Sequence, residues 1–176
     1  MKSDRFEILL FALGTLGFLF FAPPIFFVLF PYKIITWEAK VYTVEIGAFR
    51  FIGTVPILVG ILTFLWCAWS FIFSGRGTPL HILPPEELVV SGLYRFVRNP
   101  MYVGGCLILL GEVLLFASPG LLIYAAAMFA FFNVFVHGEE ARLRRTYGES
   151  YEQYCRSVPR WIPRLRAFRG DTTEST

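Results

Sequence analysis

Two long apolar runs constrain the fold of this chain more than any other feature. Residues 8–30 and residues 51–73 contain no charged side chain. Each run is long enough to cross a bilayer as an α-helix, which needs about 20 consecutive apolar residues. Only 16% of the residues are charged and 20 are phenylalanine, which is more apolar surface than a soluble chain of 176 residues can bury. The sequence therefore predicts a single-domain, all-α integral membrane protein.

Two shorter apolar segments follow, and a turn signal separates them. Residues 101–117 and 120–136 flank the sequence Ser-Pro-Gly at 118–120, which is typical of a tight turn. This arrangement predicts a short helical hairpin. Together with membrane helices at 6–30 and 51–73, the hairpin gives about four transmembrane helices, of which it forms the last two.

The remaining segments connect or follow these helices. The Pro-Pro pair at 23–24 is expected to kink the first helix or to end its regular part. Residues 32–50 contain several aromatic side chains and are expected to form an interfacial loop. Residues 74–100 form a polar connection, and residues 137–165 are predicted to form a C-terminal amphipathic helix. The tail at 166–176 is expected to be disordered.

Basic residues are distributed unevenly between the two sides that this topology defines. Thirteen of the 16 lie on the side of the two termini, and three lie on the other side. Because cytoplasmic segments of membrane proteins are enriched in lysine and arginine, both termini and residues 86–102 are predicted to face the cytoplasm. The basic tail adjoins a membrane span, so it suits an anionic membrane surface and not a nucleic acid. Membrane lipids are the expected partners.

Residues 86–102, EELVVSGLYRFVRNPMY, form a long polar-rich insert between apolar blocks. Gly92 permits backbone conformations that a β-carbon disfavours. The pair Asn99-Pro100 predicts a turn that ends one segment and starts a helix. Arginine, asparagine and tyrosine side chains gathered at the start of a membrane helix are consistent with a ligand site. They are also consistent with an interfacial belt that anchors the helix end.

A second polar cluster follows the hairpin. Apolar residues at steps of three and four through 143–158 predict a helix that lies along the membrane surface or folds back onto the hairpin. Glu139 and Glu140 are adjacent, so one can face a ligand while the other pairs with Arg98 or Arg144. Because the hairpin returns the chain to the side that it left, the two polar clusters are predicted to form one site. The simpler interpretation is a solvated charge run at a helix start.

Single residues outside these clusters give weaker signals. Glu112 lies inside a predicted membrane helix, where a carboxylate is costly and is a functional candidate by default, although a position near the interface explains it equally well. His81 is a lone histidine in a loop and is interpreted as structural. Cys67, Cys106 and Cys155 match no metal or redox spacing, so they are interpreted as packing residues and no metal site is predicted.

The two polar clusters carry motifs that can be compared with known families. GLYRFVRNPMYVGG and GEEARLRRTYGESYEQYCRSVPRWIP resemble the isoprenylcysteine carboxyl methyltransferase family, whose relatives include bacterial phospholipid and small-thiol methyltransferases. The resemblance covers residues 88–163. It implies an enzyme of a prokaryotic inner membrane that uses S-adenosyl-L-methionine as methyl donor. It also implies cofactor-binding residues at Leu88, Val89, Tyr94, Asn99, Pro100, Met101, Tyr102 and Glu139.

The chain departs from that family at two positions. Asn99 stands where most members carry histidine, and asparagine cannot titrate near neutral pH, which argues against an acid–base role there. Phe135 stands where the prenylcysteine enzymes carry an arginine that contacts the substrate, and this argues against a prenylcysteine carboxylate as acceptor. The catalytic residues are not identified, and the candidates are Arg98, His137 and Glu140.

The residues and the resemblance together favour methyl transfer from S-adenosyl-L-methionine to a lipophilic acceptor at the cytoplasmic membrane surface. Three other classes stay open. A relative of NADPH-dependent sterol reductases would share a similar C-terminal half. A small four-span transporter would use Glu112 as its coupling carboxylate. A non-catalytic membrane scaffold would need neither a cofactor nor a coupling group.

Overall fold

The computed structural model describes residues 20–39, 47–74 and 90–168, together with Leu13 and Gly17. The described residues contain no strand and form five main helices, which we number α1 to α5. Helix α1 covers Phe20–Glu38, α2 covers Thr54–Ser74 after a 3₁₀ segment at Gly47–Gly53, α3 covers Pro100–Phe116, α4 covers Pro119–Tyr147 and α5 covers Glu149–Ser157. A 3₁₀ turn at Gly92–Arg95 precedes α3.

Three helical segments of the described chain are long and apolar enough to cross a membrane, namely Phe20–Glu38, Gly47–Ser70 and Pro119–Tyr147. Helix α3 is apolar but shorter, with 17 residues. Large apolar side chains such as Leu62 and Val134 face outward and are 66% and 75% exposed, as expected for surfaces that contact lipid. The prediction of an all-α integral membrane protein is confirmed, whereas the number of four spans stays a prediction.

Helix α1 continues further than the sequence predicted. Pro23 and Pro24 are followed by a π-helical turn, Ile25–Leu29, and the helix then continues as Phe30–Glu38. The prolines lack the N–H groups that a regular helix uses, and the wider π turn lets the chain pass them without ending the helix. This observation corrects the predicted helix end at residue 30 and shows that the first part of the loop expected at 32–50 is helical as far as Glu38.

Helices α2 and α3 pack closely because glycines face each other. A β-carbon built on Gly60 would lie 2.5 Å from the carbonyl oxygen of Gly104, and one built on Gly111 would lie 2.5 Å from the carbonyl oxygen of Gly53. Side chains at these positions would therefore push the two backbones apart. Small residues allow membrane helices to gain this kind of close packing. The contact holds the start of α3 beside α2.

Helix α4 starts at the predicted turn and passes the predicted boundary at residue 137 without a break. Ala117 takes a left-handed conformation with φ of 45°, and the Ser118 hydroxyl accepts the N–H of Leu121 at 2.9 Å, which caps the new helix. The 29 residues of α4 extend about 43 Å. Glutamate, alanine, leucine and arginine follow the apolar run, and these good helix formers continue the helix.

The C-terminal helix that the sequence predicted over 137–165 is divided into three parts. Its first residues belong to α4, which ends at Gly148, where φ is +55°. Helix α5 follows and ends at Ser157, shortly before a proline. Residues 158–168 are irregular and hydrogen-bond to the chain before α3. A single helix is therefore wrong, and the segment predicted to be disordered is hydrogen-bonded as far as Phe168.

Two buried clusters hold the helices together. The cluster between α3 and α4 consists of Leu109, Met128 and Phe132. The cluster around α5 consists of Tyr151, Tyr154 and Val158, and Val90 and Phe168 pack against it. The second cluster lies where the start of α3, the last turns of α4 and the C-terminal segment meet. We call this end of the bundle, formed by residues 90–102 and 137–168, the motif end.

Candidate functional site

At the motif end, the two polar clusters of the sequence come into contact. The hydroxyl of Tyr102, near the start of α3, donates a hydrogen bond to Oε2 of Glu139 on α4 at 3.2 Å. The Tyr102 ring lies 5.2 Å from the Phe132 ring and 6.2 Å from the Phe135 ring, centroid to centroid. A carboxylate bordered by aromatic faces is a combination that suits a cation or a planar base.

Glu140, the next residue, is buried and has other partners. Its side chain is 2% exposed, and Arg160 donates two hydrogen bonds to its two oxygens, at 2.9 and 2.7 Å. Arg98 approaches it to 3.4 Å and Arg144 to 3.8 Å. The arginines offset the cost of burying the carboxylate, and the hydrogen bond to Glu140 raises the pKa of Arg160. Glu140 therefore holds the motif end together.

Residues 158–168 lie against the polar stretch that leads into α3. The Arg98 N–H donates to the Pro159 carbonyl at 2.9 Å. Arg95 and Phe168 are joined twice, because the Phe168 N–H donates to the Arg95 carbonyl at 2.9 Å and Nε of Arg95 donates to the Phe168 carbonyl at 2.7 Å. The irregular segment thus satisfies its backbone groups on the motif itself. It fixes the position of the residues that precede α3.

Asn99 is buried at the junction of these segments. Its φ of −124° and ψ of 57° place it outside the helix, and its carbonyl accepts the N–H of Val103 at 3.0 Å as α3 begins. Its side-chain amide donates to the Arg160 carbonyl at 3.3 Å. Asn99 therefore has a structural partner in the C-terminal segment, in agreement with the argument against an acid–base role.

Arg98 and His137 are also engaged by neighbouring groups. Nδ1 of His137 lies 2.6 Å from the Asn133 carbonyl and Nε2 lies 3.2 Å from Nη1 of Arg160, so these partners assign Nδ1 as donor and Nε2 as acceptor. Nη1 of Arg98 donates to Sγ of Cys155 at 2.7 Å. Nε of Arg98 is buried and has no hydrogen-bond partner among the described residues. A buried donor without a partner is a candidate contact for a ligand.

Tyr94, Pro100 and Met101 support the site from its edge. Pro100 is fully buried and starts α3, and Met101 follows it in a partly exposed position. Tyr94 lies in the 3₁₀ turn, where its carbonyl accepts the hydroxyl of Tyr154 at 2.7 Å. Burial raises the pKa of both tyrosines, so each hydroxyl keeps its proton and acts as a donor.

Some predicted residues lie outside the described part of the chain. These are Leu88 and Val89, two of the implied cofactor contacts, and His81. Most of the predicted connection at 74–100 also lies there, since the description resumes at Val90. Among the described residues, no group of three or more His, Cys, Asp or Glu side chains is placed to hold a metal ion.

Sequence analysis missed three residues of the C-terminal contact, namely Asn133, Arg160 and Trp161. Nε1 of Trp161 donates to Oδ1 of Asn133 at 3.2 Å, and the Trp161 ring lies 5.2 Å from the ring of Phe129. The available signal was the position of Arg160 and Trp161 inside the second motif, SVPRWIP. Their partners could not be read from it, because they are brought close only by the return of the irregular segment.

Comparison with known proteins identifies the family. A family model described as phospholipid methyltransferase matches residues 49–150, which is more than half of the chain and includes both Tyr102 and Glu139. The chain belongs to the phospholipid methyltransferase family. The expected resemblance to membrane methyltransferases is therefore confirmed at the level of the family. No solved structure matches the chain.

Individual relatives carry two kinds of name. The protein-S-isoprenylcysteine O-methyltransferase of Schizosaccharomyces pombe is 34% identical over 97 residues, which cover 54% of this chain and 39% of the relative. The Xenopus laevis protein of the same name is 34% identical over 95 residues, covering 51% and 33%. The nickel-cobalt-cadmium resistance protein NccN of Alcaligenes xylosoxydans xylosoxydans is 29% identical over 123 residues, covering 69% and 53%. This family member thus matches between 33% and 53% of the length of these relatives.

Proposed function

We propose that this chain transfers a methyl group from S-adenosyl-L-methionine to a lipophilic acceptor at the motif end. The hydrogen bond between Tyr102 and Glu139 supports the proposal most directly, because it joins the two motifs of the family resemblance. The residues present fit the cofactor. The Glu139 carboxylate suits its amino and ribose groups, the aromatic rings suit its base and sulfonium, and the Arg98 Nε–H suits its carboxylate. When bound, the cofactor supplies an electrophilic methyl group.

The residues of the chain bind and orient the reactants in this proposal. Glu139 accepts hydrogen bonds from the amino group or the ribose hydroxyls, and Tyr102 fixes the direction of the carboxylate. Alignment and the exclusion of water account for most of the catalysis that such a transfer needs. A thiolate, carboxylate or free amine as acceptor requires no strong general base. By resemblance, the other cofactor contacts are Leu88, Val89, Tyr94, Asn99, Pro100 and Met101.

The acceptor in this proposal reaches the site from within the bilayer. Phe135 is 52% exposed on α4, with its ring 6.2 Å from that of Tyr102 and 6.2 Å from that of Phe131. An apolar path along α4 therefore leads to the hydroxyl–carboxylate pair, at the position where a prenylcysteine carboxylate would need a cation. A lipid amine or an apolar thiol suits this path. The isoprenylcysteine in the names of two relatives is the competing acceptor.

The family assignment favours methyl transfer over the other classes that the sequence left open. The transporter class depended on Glu112, which lies ten residues beyond Tyr102 and therefore about 15 Å away along α3. The NADPH-dependent reductase class depended on a similar C-terminal half, whereas the family model that matches residues 49–150 is described as phospholipid methyltransferase. The binding experiment below distinguishes a non-catalytic scaffold from an enzyme, because a scaffold needs no cofactor.

Calorimetry of the purified protein with S-adenosyl-L-methionine, its demethylated product and NADPH tests the cofactor site. We expect Glu139→Ala and Tyr102→Phe to weaken binding of S-adenosyl-L-methionine about ten- to a hundredfold, because a hydrogen bond to a charged group contributes about 1.5–3 kcal/mol. Glu149→Ala, which removes an exposed carboxylate at the start of α5, is the matched control and should bind normally. Unchanged affinity in both site variants, or binding of NADPH alone, would reject the proposal.

The same protein tests the acceptor. Membrane extracts are incubated with S-adenosyl-L-methionine that carries a labelled methyl group, with and without a farnesylcysteine analogue. Label in the lipid fraction that is lost in Glu139→Ala supports a membrane-embedded acceptor. Label that appears only on the farnesylcysteine analogue supports methyl transfer but contradicts the acceptor proposed here.

A further inference from the structure

A partly open cavity of about 410 Å³ lies between α1, α2 and α3 in the membrane-spanning part of the bundle. Its described walls are apolar side chains such as Phe27, Ile61, Phe64 and Ile108, and Glu112 is the one charged residue among them. Because Glu112 is ten residues from Tyr102 on α3, the cavity's polar end lies about 15 Å along the helix axis from the motif end. The cavity is therefore separate from the proposed methyl-transfer site.

The irregular part of α1 shapes this cavity. Pro23, Pro24 and two residues of the π turn, Phe27 and Val28, form the wall on the side of α1. The Phe27 ring also packs edge-on against Phe64 at 6.4 Å between centroids. The turn is held from the other side, since the Tyr124 hydroxyl donates to the carbonyl of Phe26 at 3.0 Å. π turns inside helices occur frequently at functional sites.

One oxygen of the Glu112 carboxyl group lacks a partner in the part of the chain that the structure describes. The residue is 9% exposed, and its Oε2 is buried without a hydrogen-bond partner among the described residues. The Tyr124 hydroxyl, which interacts electrostatically with Glu112, donates its hydrogen bond to the Phe26 carbonyl. An unpaired carboxyl group inside a membrane helix is costly, and such groups pair with other groups or mark ligand sites. The carboxyl group therefore calls for a hydrogen-bond donor, and Glu112 lies at the polar end of an otherwise apolar cavity.

We infer that this cavity binds a single-chain lipophilic amine, whose ammonium group donates to the Glu112 carboxylate and whose alkyl chain lies against Phe27, Ile61 and Phe64. The volume falls within the range of ligand pockets, about 300–1,000 Å³. An ammonium group supplies both the hydrogen-bond donor and the opposite charge that stabilise a buried carboxylate. The inference does not depend on the proposed methyl transfer.

Other ligand classes fit these walls less well. A fatty acid would place a second carboxylate beside Glu112, and like charges at short range repel each other. A divalent metal ion needs several oxygen, nitrogen or sulfur ligands, and the described residues of the chain contain no such group of side chains. An alcohol supplies a donor but no charge, so it serves as the matched comparison for the amine in the experiment.

Photo-cross-linking tests the inference. The full chain is placed in nanodiscs of phosphatidylcholine, which carries no N–H donor, and is labelled with dodecylamine that carries a diazirine at the far end of its chain. We expect cross-links on residues of α1 and α2 that face the cavity. Free dodecylamine should compete with the probe at concentrations about tenfold or more below those at which dodecanol does, because a charge-assisted hydrogen bond is lost in the alcohol. Equal competition by the two compounds would overturn the inference.

Variants locate the site. Glu112→Gln should lower the cross-linking yield about tenfold or more, since the amide has a similar shape but no charge. Ile61→Trp, which fills the cavity from α2 and leaves Glu112 in place, should lower it as well and covers the case in which Glu112→Gln fails to fold. Glu139→Gln at the motif end should leave the yield unchanged. Cross-linking that persists in Ile61→Trp, or that is lost only in Glu139→Gln, would show that the amine binds elsewhere.

Discussion

Adjacent carboxylates at the motif end have different surroundings, and this difference sets what each can do. Glu140 is 2% exposed and contacts Arg98, Arg144 and Arg160. Glu139 is partly exposed and is bonded to Tyr102. Successive residues of a helix project about 100° apart, so one faces the C-terminal segment and the other faces α3. A structural ion pair and a proposed ligand-binding group are thus placed side by side.

Removing the buried carboxylate should destabilise the protein strongly. In Glu140→Ala, Arg98 and Arg160 lose their shared partner while they remain partly buried. Breaking a buried ion pair costs about 3–5 kcal/mol, and we expect about 2–3 kcal/mol here because Arg160 is 27% exposed. Thermal unfolding followed by a thiol-reactive dye measures this, since Cys67 is fully buried in the folded protein.

The control for that substitution is Glu152→Ala. Its carboxylate pairs with Arg144 at 2.7 Å, but both side chains are exposed to solvent by more than a third. An exposed pair contributes less than about 1 kcal/mol, so the melting temperature should change little. Equal shifts in the two variants would contradict the role assigned to Glu140.

Part of this residue-scale arrangement could be predicted from the sequence. The adjacency of Glu139 and Glu140 on a helix required different directions, and Arg98 and Arg144 were named as partners. Which glutamate is buried could not be predicted, because Arg160 decides it. Arg160 reaches Glu140 from an irregular segment whose path depends on backbone hydrogen bonds such as that between Pro159 and Arg98.

At the scale of elements, α1 is fixed to the hairpin at the end opposite the motif. Glu38, the last residue of α1, is buried, and its carboxylate accepts the Ser118 hydroxyl and, at 2.7 Å, the Gly120 N–H. Both groups lie at the N-terminus of α4, where unpaired N–H groups and the helix dipole favour a negative charge. The carboxylate therefore joins α1 to the turn between α3 and α4.

Glu38→Ala should loosen this junction. It leaves the Gly120 N–H without its acceptor in a partly buried position, where we expect the lower end of the cost of about 1–3 kcal/mol for a buried group. The matched control is Thr36→Ala, because the exposed Thr36 hydroxyl donates to carbonyls of its own helix, those of Tyr32 and Lys33. We expect a lower melting temperature for Glu38→Ala alone. A comparable drop in the control would mean that the end of α1 is sensitive to any substitution.

The helices themselves were largely predictable, and their ends were not. Apolar runs located the membrane helices, and Ser118-Pro119 located the turn between α3 and α4. The end of α1 was misplaced because Glu38 is stabilised by a contact 82 residues away in sequence, with Gly120. Local sequence carries no information about such a contact. Gly148, in contrast, weakens a helix by its own backbone freedom, and α4 ends there.

At the scale of the whole molecule, the charge distribution predicts how the bundle lies in the membrane. Thirteen of the 16 basic residues lie on the side of the motif end if the chain crosses four times. Such a bias places that side in the cytoplasm. S-adenosyl-L-methionine, a water-soluble cofactor, would then reach the motif end directly, whereas a lipophilic acceptor would arrive through the bilayer.

Reporter fusions test this topology. A reporter fused after Thr176 should be active on the cytoplasmic side, and one inserted between residues 40 and 46 should be active on the opposite side. Thr176 follows four predicted spans, and residues 40–46 follow one. A four-span protein therefore places the two reporters on opposite sides of the membrane. The same side for both reporters would exclude the four-span arrangement.

The unbroken course of α4 has a further consequence for the bilayer itself. The helix starts at the turn near Pro119, and Glu139 lies 20 residues further on, or about 30 Å along the axis. This distance equals the thickness of an ordinary hydrocarbon core, about 30 Å. The fixed length of α4 therefore sets the depth of the Glu139 carboxylate in the bilayer. In a thicker bilayer Glu139 would be drawn toward the acyl chains, and in a thinner one the helix would tilt or lift it toward water. Membrane thickness thus becomes a variable to which the motif end responds.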